Sequence, residues 1–173
     1  MLQAVVAATP GQPAPSLRGA TFGVEGDGLD APRRWPSRAP SARRLLLGAE
    51  QMAGYHAAAA LASNYVVALV DAAAELLAGS GLDLAAARAA LVPLAQGALA
   101  EVAARGLPAA LTGPVRRGDA ATVARHLEVL ADGDLAGLYR TLARRAARIA
   151  ATLPEGEAPA PAALAAIEQT LAR

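Results

Sequence analysis

The chain has no cysteine and no lysine, and its 173 residues include only one phenylalanine, one tryptophan and three tyrosines. Without cysteine there is no disulfide framework, no thiol nucleophile and no thiolate metal site, and a reducing cytoplasm fits such a chain. The lack of lysine removes the phosphate-binding motif G-x-x-x-x-G-K-[ST] outright. No G-x-G-x-x-G follows a strand, and no G-x-S-x-G is present, so a self-contained nucleotide enzyme or serine hydrolase is not indicated. The scarcity of aromatics at 54% apolar content leaves Leu, Val and Ala to make the core, which favours close-packed helices over a sheet sandwich. A formal net charge of +1 gives no sign of a nucleic-acid partner. All sixteen basic residues are arginine, and alanine is abundant. That bias reads as the mark of a GC-rich genome, and it lowers the weight of any single alanine or arginine as a functional signal.

The texture changes along the chain. Residues 1–43 are punctuated by Pro10, Pro13, Pro15, Pro32, Pro36 and Pro40 and by many glycines, so only short strands and turns fit there. The best strand is Ala20 to Glu25, ending at the turn signal Gly26-Asp27-Gly28, and Leu45 to Leu47 is a second candidate. Met1 to Thr9 has no basic stretch before its apolar residues and does not read as a secretory signal. From Ala49 a helical pattern runs to Ser80 without a proline, about 45 Å of helix at 1.5 Å per residue. Its apolar core, Ala57 to Val70, is interrupted by Ser63 and Asn64 and is too short and too rich in alanine to span a bilayer.

A second helix is expected behind Asp83 as its cap, running to Arg105 with a kink near Ala89 caused by Pro93. Leu107 to Gly118 reads as a loop. Asp119 caps a third helix to about Ala131, Asp134 caps a fourth to about Leu153, and a short helix from Ala162 to Ala172 follows a linker. The expected fold is therefore mainly α: a helical bundle around one long helix, with a short irregular or β segment at the N-terminus. The expected domain division is 1–48, 49–153 and 154–173.

On a helical wheel His56, Ser63, Asn64, Asp71 and Glu75 share a sector of about 120° on the long helix. A solvated face explains Asp71 and Glu75. His56 and Asn64 sit in a run of alanines, with Ala60 one turn from each, and two polar groups on a small apolar floor also suit a pocket wall. His56 can exchange a proton near neutral pH, and Asn64 can hold a carbonyl or hydroxyl oxygen. Packing roles for both remain open. His126 lies near Leu127 and Leu130 with no carboxylate at helical spacing to orient it, and a packing role is the simpler reading. Two histidines in the whole chain, without H-E-x-x-H spacing, indicate no metal site. The stretch Leu111-Thr112-Gly113-Pro114-Val115-Arg116-Arg117-Gly118-Asp119 suits either an anion or a tight turn into a helix cap. Arg140, Arg144, Arg145 and Arg148 oppose Leu135, Leu138, Leu142 and Ile149, an amphipathic helix whose basic stripe is solvated or paired with acidic groups.

Tyr55-His56-Ala57-Ala58-Ala59, Ala62-Ser63-Asn64-Tyr65, Leu111-Thr112-Gly113-Pro114, Arg117-Gly118-Asp119 and His126-Leu127 occur in an order that resembles a known group. These are the Rossmann-like proteins with a C-terminal domain of unknown function 2520. The resemblance covers about Leu2 to Ala151, with Leu17-Arg18-Gly19-Ala20 to Gly26-Asp27 as the last strand region before the helical part.

It implies a dinucleotide-binding domain followed by a helical domain similar to those of 6-phosphogluconate dehydrogenase, pyrroline-carboxylate reductase and ketopantoate reductase. Such relatives transfer hydride between NAD(P)H and a small acid, and commonly dimerise through the helical domain. The chain begins near where the family's cofactor domain ends, so NAD(P) is expected for a complete family protein and no cofactor for this chain alone. Several of the related dehydrogenases carry a lysine four residues before the asparagine. Here that position is Ala60, and the nearest proton-transfer group is His56.

The resemblance makes His56 the acid/base and Asn64 an orienting group, with Ser63, Thr112 and Arg117 as substrate or phosphate contacts. The resulting expectation is the substrate-binding and dimerisation domain of an NAD(P)-dependent oxidoreductase without its cofactor half. It would be cytoplasmic and homodimeric, act on a small acid if active, and have no nucleic-acid or membrane partner. The alternative is a non-catalytic helical self-association module.

Overall fold

The structure is a computed structural model, and it describes Thr21–Val24 and residues 43–131 and 133–173. The chain divides into two compact units, Met1–Ala68 and Leu69–Arg173. The described residues are mainly helical, as the composition requires.

In the first unit, β1 (Thr21–Val24) pairs in parallel with β2 (Arg43–Leu46), placing Thr21 opposite Arg43 and Val24 opposite Leu46. The turn Gly26-Asp27-Gly28 lies outside the described residues.

The helical run expected from Ala49 is present with an interruption at Ser63. It forms α1 (Ala49–Ala62) and α2 (Asn64–Ala78). Ser63 has φ −126° and ψ −74°, outside the helical well, and its carbonyl accepts from the Val66 N–H at 3.1 Å. Ser63 and Asn64 both carry short polar side chains that compete with the backbone for hydrogen bonds, which accounts for a break at this dipeptide among alanines. The uniform wheel drawn through the whole segment therefore does not hold across Ser63. Ala49–Ala78 together make 30 residues whose most apolar window has a mean hydropathy of 1.5, enough by length and composition to cross a membrane. The test is met by length and composition only, and the same segment carries Glu50, Asn64, Asp71 and Glu75.

In the second unit, Asp83 caps α3 (Leu84–Arg105) by accepting from the Ala86 N–H at 3.0 Å. Pro93 is accommodated inside this helix. The stretch read as a loop contains two short helices, α4 (Leu107–Ala110) and α5 (Gly113–Arg117). Each opens with a proline in its first turn, where the missing N–H is not needed. The prolines and glycines that suggested a loop are thus helix starts and stops at close spacing.

After the Asp119 cap come α6 (Ala120–Leu130), α7 (Asp134–Ala150) and α8 (Pro161–Ala172); Gly133, not Asp134, is the cap of α7, and Asp134 is instead an acidic residue in its first turn. The core lies where α5, α6, α7 and α8 meet. Val115, Val123, Ala143, Ala147, Ile167 and Leu171 are buried there. Gly118 makes the α5–α6 corner with φ +71°, and a Cβ at that position would sit 2.7 Å from the Ala163 Cβ on α8. Only glycine lets the corner approach α8 this closely in a left-handed conformation.

Candidate functional site

The first unit contains three of the residues singled out from the sequence. His56 is exposed on α1, and its ring meets the edge of Tyr55 with centroids 6.0 Å apart. Ser63 is the exposed junction residue, and Asn64 opens α2, also exposed. Asp71, of the same proposed polar face, is paired with Arg88 at 2.7 Å, with both side chains about half exposed. A pair so accessible to water contributes little, so Asp71 fits the solvated-face reading.

In the second unit Thr112 precedes α5 and Arg117 ends it. Arg117 is exposed, while its neighbour Arg116 reaches Glu157 at 3.4 Å. Arg117 and Arg125 both favour the charged form of Asp119, but the larger cause is local. Asp119 accepts from the Thr122 hydroxyl at 2.6 Å and from the Thr122 N–H at 2.9 Å, and these bonds hold its carboxyl below the usual value. The acidic end of the motif is therefore committed to capping α6. That supports the turn-and-cap reading for Arg117-Gly118-Asp119.

Thr112 stands apart from this. Its side chain makes no capping bond to α5, and it lines an open cleft of about 350 Å³. Val115, Leu142, Ala143 and Ala146 give the cleft an apolar floor, and His126 and Tyr139 supply its other polar groups. The Nδ1 of His126 lies 2.9 Å from the Tyr139 hydroxyl, and the two rings meet edge to face with centroids 5.8 Å apart. Burial raises the Tyr139 pKa above its ordinary value, so the phenol stays protonated at neutral pH.

The partner missing from the sequence reading of His126 is thus a tyrosine on the next helix. Tyr139 lies between Leu138 and Leu142 on a helix whose apolar side was legible. An aromatic residue with a polar tip in that position is the signal that could have marked the pair. A larger groove of about 430 Å³ is lined by Leu127, Glu128, Arg140, Thr170 and Arg173, two arginines and one glutamate, and no histidine enters it. Among the described residues no group of three His, Asp or Glu side chains is placed to hold a metal ion.

The family described as a domain of unknown function, DUF2520, matches residues 37–146, more than half of the chain. The chain belongs to the DUF2520 family. No curated protein and no solved structure matches it. The segment shared with the DUF2520 family contains α1 to α6 and most of α7, all the site residues inferred from the sequence, and every residue lining the Thr112–His126–Tyr139 cleft.

Proposed function

We propose that this chain is the substrate-binding and dimerisation part of an NAD(P)-dependent oxidoreductase. The reading rests on the resemblance of the chain's ordered motifs to Rossmann-like proteins that end in this domain; the DUF2520 match, itself of unknown function, spans His56, Ser63, Asn64, Thr112 and Arg117. The parallel pairing of β1 with β2 agrees with it, because parallel strands are the rule in dinucleotide-binding α/β domains. His56 is the acid/base and Asn64 the residue that orients a substrate oxygen; their exposure leaves both accessible to a substrate or to another domain. Arg117 offers a charge to a small acid.

Among the described residues no strand leads through a glycine-rich turn into a helix that could hold a pyrophosphate. We assign the cofactor contacts to the dinucleotide-binding domain of a complete family protein.

The dimerisation part of the reading rests on α3. Leu94 is 70% exposed, and Val92, Leu99 and Val102 are exposed with it. Apolar residues occur on all sides of this helix, a pattern that belongs to a buried environment. A second copy of the chain is the proposed cover, which would make the protein a homodimer. Apolar exposure of this kind also favours the second reading, a self-association module without catalysis.

Two measurements separate the readings. His56→Ala in a family member that carries its own dinucleotide domain is expected to lower turnover, and unchanged turnover would remove the catalytic assignment. Titration of the present chain with NADPH is expected to give no binding, and tight binding would overturn the assignment of the cofactor site elsewhere.

A further inference from the structure

The cleft between α5, α6 and α7 differs in composition from the larger groove lined by Glu128, Arg140 and Arg173. Its floor is apolar, it contains no arginine or carboxylate, and its polar groups are a hydroxyl, an imidazole and a phenol. Such a lining offers a ligand charge no permanent countercharge, while its apolar floor would take part of that charge's hydration away. It favours an uncharged oxygen attached to an apolar body.

The His126–Tyr139 contact adds a second property. With Nδ1 as acceptor, the Tyr139 O–H is committed to His126, and its lone pairs remain for a hydroxyl donor. With a proton on Nδ1, His126 donates to the Tyr139 oxygen, and the phenol proton is released toward a carbonyl. A change of imidazole tautomer therefore switches what the Tyr139 hydroxyl offers. His126 is exposed, so the proton exchange has a route to water.

We infer that this cleft binds a small uncharged molecule bearing a carbonyl or hydroxyl oxygen on a branched apolar body. The Tyr139 hydroxyl holds the oxygen, and His126 sets whether that hydroxyl donates or accepts. Thr112 borders the same space and closes its polar end, while Leu142, Ala143 and Ala146 contact the apolar body. The inference stands on the cleft alone and does not require that a dinucleotide is bound anywhere.

The chain's two histidines make the test direct, because each ring gives its own signal in carbon–proton spectra of the full protein labelled at histidine. The probes are 4-methylpentan-2-one, 4-methylpentan-2-ol and, as the charged comparison, 4-methylpentanoate. The ketone and the alcohol are expected to shift the His126 signal saturably and leave His56 unmoved, and the carboxylate to bind at least about tenfold more weakly. Tyr139→Phe, which keeps the ring packed, is expected to weaken ketone binding roughly 2- to 10-fold, the loss of one hydrogen bond. Leu142→Trp fills the cleft from its exposed side and is expected to abolish binding while the His126–Tyr139 contact persists.

Equal shifts of both histidines, no saturation, equal affinity for the carboxylate, or unchanged ketone affinity in Tyr139→Phe would each overturn the inference. So would a His126 signal that responds to protein concentration but to none of the probes, since a second chain would then occupy the cleft.

Discussion

The helices α3 and α7 are both long, both rich in alanine and both unbroken, yet they use alanine in opposite ways. On α7 the alanines at 136, 143, 147 and 150 are buried, and arginines occupy much of the remaining surface. One of these, Arg144, donates to the Leu171 carbonyl at 2.7 Å and lies 3.6 Å from Glu168, tying α7 to α8. The result is a helix with a defined inside and outside. On α3 only Ala87 is buried, and leucines and valines emerge in several directions. A helix with one small buried stripe is completed by its own chain, whereas a helix apolar all round is completed only by something else.

Four perturbations would break or sharpen this contrast. The largest effect is expected from Ile167→Ala, which empties a fully buried position on α8 facing the α7 core. It should cost about 2–5 kcal/mol in urea unfolding. A cost below about 1 kcal/mol would mean that the α5–α8 bundle is not the stabilising core. Leu94→Arg, at an exposed position on α3, should leave unfolding within about 0.5 kcal/mol under conditions where the chain is monomeric. The same change should weaken self-association at least tenfold by sedimentation, and an unaltered association constant would sever α3 from dimerisation.

Gly118→Ala tests the bundle at its tightest corner. The positive φ and the contact with Ala163 together should cost about 1–3 kcal/mol, and a neutral result would show that α8 is free to move away. The smallest effect is expected from pH. The folded-state pKa of Asp119 lies below the usual 3.8, so its ionised form stabilises the fold above that value. This contribution should fade as the pH falls through the lower folded value. Asp119→Asn, which retains capping ability, should lower the melting temperature at neutral pH and converge with the parent chain in strong acid. A constant gap across that range would rule out linkage through this carboxyl.

The parts of the fold that depend on near neighbours in sequence were legible. Asp83 and Asp119 announced their helices because capping is settled within three residues. The core of α7 was harder. Leu135, Leu138, Leu142 and Ile149 read as its inner face, yet the alanines beside them are the fully enclosed residues, and Leu138 and Leu142 are exposed. Compositional bias had lowered the weight given to alanine, whereas close approach of helices selects for small side chains.

The site shows the same limit. Thr112 was named from its motif, and its place in a cleft needed α7 to be positioned against α5. His126 was legible as a residue without a helical partner, and the partner it has stands thirteen residues away across a chain reversal. The break at Ser63 was signalled by Ser63 and Asn64 themselves, but a wheel assumes a straight axis and cannot register it.

The position of Ile167 and Leu171 on α8 has a consequence for how the protein is made. These are the largest fully buried side chains, together with Val123, and they are translated after every other helix of the bundle. A released chain that stopped before Pro161 would lack both side chains and leave the apolar faces of α5, α6 and α7 that they cover open to water, a surface prone to aggregation.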